Sequence, residues 1–217
     1  MLTGANEWVW RPVTNRTTLQ ISTFVDTKPR GFGCILRDRN FEDYDDEIEH
    51  WEKRPSLWIE PLGDWDEGGV QLIEIPSQSD ANDNILCFWR PKAPLKAGVE
   101  AAFAYRQFWC WDPPDRPDLA RTARSHAGAA GRHERFFVEF AGDILADEKR
   151  TADLTPALTT NTGSITMVRT FFDRERKTYR VLFELDPQGA GACELRLVLQ
   201  AGGNRVSETW LYRWTPT

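Results

Sequence analysis

The chain has 217 residues, enough for one large domain or two modest ones, and 41% of its residues are apolar. Charged residues make up 28% of the chain and the net charge is −6. This balance argues against nucleic acid or an anionic membrane as a partner, because either would need a basic surface. We find no apolar stretch of transmembrane length and no export signal at the N-terminus, so we expect no membrane insertion.

Ten residues are tryptophan, which is a high number for a chain of this size. Indole offers a flat apolar face with one polar N–H group. Sugars present C–H faces ringed by hydroxyl groups, so tryptophan combined with carboxylate and amide groups suits a carbohydrate ligand. For any single tryptophan, however, the simpler explanation is that it fills a β-sheet core.

The four cysteines are Cys34, Cys87, Cys110 and Cys193. No pair has the spacing of metal ligands or of a redox motif, so we predict no metal and no cofactor. Cys34 and Cys87 lie in apolar, strand-like runs and are expected to behave as small hydrophobic residues. An even number of cysteines permits disulfides, but the sequence does not require one.

The first half of the chain shows the alternating pattern of short antiparallel strands separated by turns. Residues 63–69 have the composition of a hairpin-type turn. Residues 40–51 interrupt the alternation, and they indicate either a short acidic amphipathic helix that Asn40 could cap or a folded loop. The predicted strands of this half are 6–13, 17–25, 31–37, 54–61, 70–75, 85–89 and 101–111.

Residues 112–131 are rich in proline, alanine and glycine and lack an apolar period, which indicates a linker. We therefore predict domains at 1–112 and 132–217, joined by a linker at 113–131. Short strands with turn signals between them favour a small immunoglobulin-like sandwich for the second domain. The predicted strands of this half are 136–140, 164–172, 178–185, 193–199 and 206–214.

The stretch from Ile75 to Pro91 combines a polar loop with an apolar run that reads as a buried strand. Asp80 and Asp83 lie in the loop, where a rigid strand could hold them for chemistry. The alternative is an ordinary turn, because Asp and Asn side chains in turns mostly bond their own backbone. Both interpretations remain open on the pattern alone.

Several ordered motifs resemble the periplasmic glucan biosynthesis proteins of the osmoregulated-glucan pathway, the G and D type. The resemblance runs through the whole chain and is strongest from residue 6 to residue 91. The motifs are Asn6–Pro12, Gly31–Gly33, Arg37–Arg39, Arg54–Trp58, Gly63–Trp65, Ile75–Pro76, Asn82–Ile85 and Ser207–Trp210.

The resemblance implies an all-β fold, in which part of a large antiparallel β-sandwich is followed by a small immunoglobulin-like β-sandwich. It also implies a periplasmic protein acting on β-1,2-linked glucan backbones. The chain matches only the latter part of the large domain and lacks the export signal of the family, so we expect a fragment or a truncated start.

Members of the family resemble inverting glycoside hydrolases, which use one carboxyl group as general acid and another as general base. The resemblance implies Asp83 as the general acid, with a pKa raised by shielding and by a carboxylate such as Asp80. It implies that Asp80, Asn82 and Asn84 contact the glucan. Trp51 aligns with a position where the family tends to carry Tyr, and its ring could still stack on a sugar.

The resemblance places the general base upstream of this chain. Asp38, Glu42 and Asp46 are the acids at hand, and their spacing favours none of them. The alternative is a non-catalytic β-sandwich that binds a glucan oligosaccharide or polysaccharide as a scaffold. Whether the chain is an enzyme is open between these two hypotheses.

Overall fold

A computed structural model describes residues 1–79, 82–114 and 116–216 of the chain. The fold is all-β, as predicted, and its described helical segments are short 3-10 turns at Phe41–Asp43, Trp51–Lys53 and Asp143–Ala146. In chain order the strands are β1 Val9–Trp10, β2 Gln20–Thr27, β3 Phe32–Cys34, β4 Ser56–Leu62, β5 Glu67–Glu74, β6 Ile85–Pro91, β7 Ala104–Cys110, β8 Arg121–Ala130, β9 His133–Ala141, β10 Thr155–Thr160, β11 Ser164–Asp173, β12 Thr178–Asp186, β13 Cys193–Ala201, β14 Asn204–Arg205 and β15 Thr209–Trp214.

The chain divides into two compact units. The first unit consists of Met1–Glu7 and Thr14–Arg116, and the second of Trp8–Val13 with the chain from Pro117 onward. The N-terminal stretch 8–13 thus differs from our prediction, which placed it with residues 1–112. The reason is a long-range pairing: β1 lies parallel to β15, with Val9 opposite Thr209 and Trp10 opposite Trp210.

The second unit is built from two sheets. Strands β11, β12, β9 and β8 form one antiparallel sheet in that order, and β1, β15, β13 and β10 form the other, with β14 paired to β13. Phe136 and Phe183 from the first sheet stack with ring centroids 5.0 Å apart, and both contact Trp210 from the second. These three side chains are fully buried, so the two sheets close over one core.

The predicted linker at 113–131 is wrong in part, because it contains strand β8. Residues 121–130 pair with β9 along the outer edge of the four-stranded sheet. Most of the β8 side chains are exposed. An edge strand with few buried positions needs no apolar period, and its alanine, glycine and polar residues therefore resemble a linker in sequence.

The first unit also contains two antiparallel sheets, one of β2, β5 and β6 and one of β3, β4 and β7. The predicted hairpin at 63–69 is wrong, because β4 and β5 belong to different sheets. The connection carries Trp65 into the space between them, where its ring contacts Phe32 and Trp89 and its Nε1–H donates to the carbonyl of Ala104 at 3.1 Å. Trp65 therefore joins both sheets of the unit.

The Gly31-Phe32-Gly33 motif has a steric explanation in the second of these sheets. A Cβ atom on Gly31 would lie 2.3 Å from the ring of Trp58, and one on Gly33 would lie 1.9 Å from the carbonyl oxygen of Leu57. Only glycine allows β3 to approach β4 this closely. Phe32, between the two glycines, is buried against Trp65 and Val70.

Residues 85–89 form a strand, as predicted, but the strand is buried on one face only. Cys87 and Trp89 pack against the core of the unit, whereas Leu86 and Phe88 are 44% and 39% exposed on the opposite face.

Residues 40–51 form a folded loop and not an amphipathic helix. The side chain of Asn40 makes no capping bond and instead donates to the Asp43 carboxylate at 3.1 Å.

Candidate functional site

The strand directions bring the loops with the predicted site residues to one end of the first unit. Strand β4 begins at Ser56, opposite the last residue of β7, and Leu57 pairs with Cys34 at the end of β3. In the other sheet, the last residue of β5 pairs with the first residue of β6. The short β4–β5 connection reverses the chain between the sheets, so segment 35–55 and loop 75–84 emerge at the same end.

Loop 75–84 is closed at its base by Asn84. The Ile75 backbone N–H donates to the Asn84 carbonyl at 2.8 Å, and the Asn84 side-chain amide donates to the Ile75 carbonyl at 3.0 Å. The Asn15 side-chain amide donates to the Ser77 carbonyl at 2.7 Å, and the Ser77 backbone N–H donates to Asn15 Oδ1 at 3.2 Å. These bonds give Asn84 a structural role in shaping the loop.

Asn82 and Asp83 are exposed in this loop. The expected shielding of Asp83 by neighbouring side chains is therefore not provided by the described part of this chain. Asp80 lies outside the described residues. An exposed carboxylate and amide on a closed, strand-supported loop can hydrogen-bond the hydroxyl groups of a sugar lying over them.

Trp51 is fixed by the opposite segment. Its indole Nε1–H donates to Asp46 Oδ2 at 3.0 Å, and the Arg54 guanidinium lies 4.1 Å from its ring centroid. Arg54 also pairs with Glu49. Because Arg54 covers one face of the indole, only the other face could stack on a ligand.

Asp46 organises this segment. Its Oδ1 accepts the backbone N–H groups of Ile48 and Glu49 at 2.9 and 3.0 Å. These hydrogen bonds, with a smaller contribution from Trp51, hold the pKa of Asp46 below its usual range. A carboxylate stabilised in its charged form is an anchor for Trp51 and a poor proton donor.

Arg39 is a residue that we did not predict. Its guanidinium donates to the carbonyls of Glu52 and Arg54 at 2.9 and 2.8 Å, and it lies 4.0 Å from the ring centroid of Trp111. It also donates to Ser56 Oγ at 3.2 Å. Arg39 thus ties the segment that bears Trp51 to the start of β4 and to the aromatic residue after β7.

The Arg37-Asp38-Arg39 motif was the signal that could have identified Arg39, but the motif alone does not distinguish a ligand contact from a structural anchor.

Of the three acids considered for the general base, Asp38 accepts the Asn40 backbone N–H at 3.0 Å, Asp46 is the anchor described above, and Glu42 is exposed. Among the described residues, no group of three or more His, Cys, Asp or Glu side chains could hold a metal ion.

The described geometry defines a two-unit, all-β protein with polar and aromatic loops gathered at one end of its first unit. The family model for the periplasmic glucan biosynthesis protein MdoG matches residues 1–214. The chain belongs to this family.

Its relatives include two proteins named glucans biosynthesis protein D. The protein from Stenotrophomonas maltophilia strain K279a is 42% identical over 224 residues, which cover 99% of this chain and 42% of the relative. The protein from Xanthomonas axonopodis pv. citri strain 306 is 41% identical over 230 residues, which cover all of this chain and 43% of the relative.

The chain thus spans less than half the length of these relatives. Within the part of the chain that the structure describes, no helix is both long enough and apolar enough to cross a membrane.

Proposed function

We propose that this chain binds the backbone of a β-1,2-linked glucan in the periplasm, as part of glucan biosynthesis. The observation that carries the proposal is the convergence of loop 75–84 and segment 35–55 at one end of the first unit. Asn82 and Asp83 present polar groups there, and Trp51 presents one indole face. The family match supports the ligand class, because the family is described by its role in periplasmic glucan biosynthesis.

The acidic net charge fits a neutral ligand such as a glucan. Sugar recognition commonly combines an aromatic face for the C–H surface with side-chain acceptors for the hydroxyl groups. The bonds of Asn84, Asp46 and Arg39 hold the two loops in shape. A site with pre-formed loops loses less conformational entropy when it binds a ligand.

A second candidate function is inverting hydrolysis of the glucan with Asp83 as general acid. This function is supported by the position of Asp83 in the motif Asn82–Ile85 and by its place two residues before strand β6. The exposure of Asp83 is a reason to rank binding first, because a general acid is kept protonated by a shielded environment. A bound glucan lying over the loop could supply that shielding.

Titration calorimetry of the 217-residue chain with a β-1,2-linked gluco-oligosaccharide tests the binding proposal. We expect measurable binding that weakens about tenfold in Asp83→Asn and in Trp51→Ala, consistent with the loss of one good contact each. Glu100→Gln is the matched control, because Glu100 is an exposed carboxylate in the 92–103 connection at the opposite end of β6. Absence of binding, or equal weakening in the control, would overturn the proposal.

Assay of the same mixtures for new reducing ends separates the two functions. Binding without product supports the scaffold role. Product formation that disappears in Asp83→Asn, with the fold intact by circular dichroism, supports the hydrolase. Product formation that survives this substitution excludes Asp83 as the acid.

A further inference from the structure

Two cysteines from different sheets of the first unit face each other. Cys34 ends β3, two residues after Phe32, which is buried between the sheets. Cys87 lies in β6, two residues before Trp89, and both pack against the same core. Because residues two apart in a strand share a face, both thiols lie on the strand faces that meet between the two sheets. They are close enough there for each to shift the pKa of the other.

The two thiols differ in exposure and in pKa, as a reactive pair of cysteines requires. Cys34 is exposed and Cys87 is partly buried, and both are free thiols. The neighbouring Cys87 thiol lowers the pKa of Cys34 to about 7, whereas Cys34 and burial raise the pKa of Cys87. Cys34 is therefore the thiol that is ionised near neutral pH and open to an incoming reagent.

We propose that Cys34 and Cys87 form a disulfide that cross-links the two sheets of the first unit when the chain meets a disulfide oxidant. The Cys34 thiolate attacks a sulfur of the oxidant and forms a mixed disulfide, releasing one thiol of the oxidant. Cys87 then loses its proton and attacks Cys34 Sγ, which expels the second thiol. Two cysteine thiols are oxidised, and one disulfide of the oxidant is reduced to two thiols.

The compartment of the family fits this chemistry. The family is described as periplasmic, and the bacterial periplasm is an oxidising environment in which disulfides persist. Sequence analysis does not indicate this pair, because the two residues lie 53 positions apart in the chain and neither belongs to a paired-cysteine motif. Only the packing of β3 against β6 brings them together.

The cross-link would also tie the two walls of the proposed glucan site. Strand β3 leads into segment 35–55 with Trp51, and β6 follows the loop with Asp83. A covalent bond between these strands would limit how far the two loops can separate. This last consequence rests on the proposed function, whereas the disulfide itself does not.

The other two cysteines provide controls. Trp109 pairs with Leu57, which pairs with Cys34, so these three side chains share the inner face of their sheet. Cys110, the next residue, therefore lies on the opposite face and cannot reach Cys34 or Cys87. Cys193 is fully buried in the core of the second unit.

The experiment is oxidation of the purified 217-residue chain with oxidised glutathione, followed by acid quenching, alkylation and mass spectrometry. We expect the intact chain to lose the mass of two hydrogen atoms and to yield one cross-linked peptide pair containing Cys34 and Cys87. Cys34→Ser and Cys87→Ser should each abolish this product, and Cys110→Ser should leave it unchanged. A stable glutathione adduct on Cys34 without closure, or a product containing Cys110, would overturn the proposal.

Thermal unfolding provides a second measurement. Because the bond closes a loop of roughly fifty residues, we expect oxidation to raise the melting temperature by about 5 °C or more in the unsubstituted chain and in Cys110→Ser only. An unchanged melting temperature in a fully cross-linked sample would show that the disulfide does not stabilise the packing of the two sheets. Glucan binding, measured separately in both redox states, distinguishes a failure of the disulfide from a failure of the glucan site.

Discussion

The two units differ in how much of their apolar surface they bury. Among the described residues, the second unit has one cluster of 18 buried apolar residues drawn from both of its sheets. The corresponding cluster of the first unit contains three buried residues, Phe32, Trp65 and Val70. The second unit therefore has the larger core, although each unit has two packed sheets.

The first unit also leaves large apolar side chains exposed on both sheets. Val25 is 82% exposed on the outer face of β2, and Tyr105 and Trp109 are 52% and 66% exposed on the inner face of β7. Apolar patches of this kind mark surfaces that bind ligands or other polypeptide segments. The second unit therefore has the better-packed core, whereas the first unit exposes more large apolar side chains among the described residues.

The largest expected effect on stability comes from truncating one phenylalanine in each unit and comparing the two losses. Phe183→Ala removes a fully buried ring that stacks on Phe136, and we expect it to lower the free energy of unfolding by about 3–5 kcal/mol. Phe88→Ala removes a ring that is 39% exposed, and we expect a loss below about 1 kcal/mol. Urea unfolding followed by circular dichroism gives both values.

Similar losses in the two variants would contradict the contrast, because they would mean that the outer face of β6 is as well packed as the core of the second unit. Phe88→Leu serves as a control for strand propensity. It keeps an apolar side chain on the face and should behave like the unsubstituted chain.

The all-β class and most strand positions followed from the alternation of apolar and polar residues, because successive side chains of a half-buried strand point to its buried and exposed faces in turn. The strands that sequence analysis missed carry weak patterns of this kind. Strand β8 is an exposed edge, and β10, Thr155–Thr160, is short and rich in threonine. The pairing of β1 with β15 joins residues about 200 positions apart, and local pattern does not encode such a pairing.

The candidate site was predictable as a set of segments but not as a geometry. The motif around Asp83 indicated the loop that precedes β6, and the interruption of alternation at 40–51 indicated the segment of Trp51. Sequence could not show that Arg54 covers one face of Trp51 or that Asp83 is exposed. The anchoring role of Arg39 depends on backbone carbonyls, which every residue carries, so residue types alone could not reveal it.

A smaller effect is expected from Arg39 in the first unit. Lysine keeps the charge, but a single ammonium cannot reproduce the planar fork that reaches two carbonyls and Ser56 while lying over Trp111. We expect Arg39→Lys to lower the free energy of unfolding by about 1–3 kcal/mol, measured by urea unfolding. Arg106→Lys is the control: Arg106 forms an exposed ion pair with Glu60 at 3.0 Å, and its change should stay within about 0.5 kcal/mol. Equal losses would mean that Arg39 acts only as a surface charge.

The smallest effect is the acid response of the segment that holds Trp51. Hydrogen bonds from Glu49 and Ile48 hold the pKa of Asp46 below its usual 3.8, so its folded-state contribution is complete above that value and is lost as the pH falls through the lowered pKa. Asp46→Asn should therefore be less stable than the unsubstituted chain at pH 7, and the difference should shrink as the pH approaches the lowered value.

Glu184 in the second unit provides the matched comparison, because Arg135 and His133 likewise hold its pKa below 4.5. Glu184→Gln should show a pH-dependent difference of the same sign without altering the first unit. Glucan binding measured across the same pH range should weaken in Asp46→Asn but not in Glu184→Gln, because only Asp46 anchors Trp51. A stability difference that does not change with pH would show that the charge of Asp46 makes no contribution and that its role is steric.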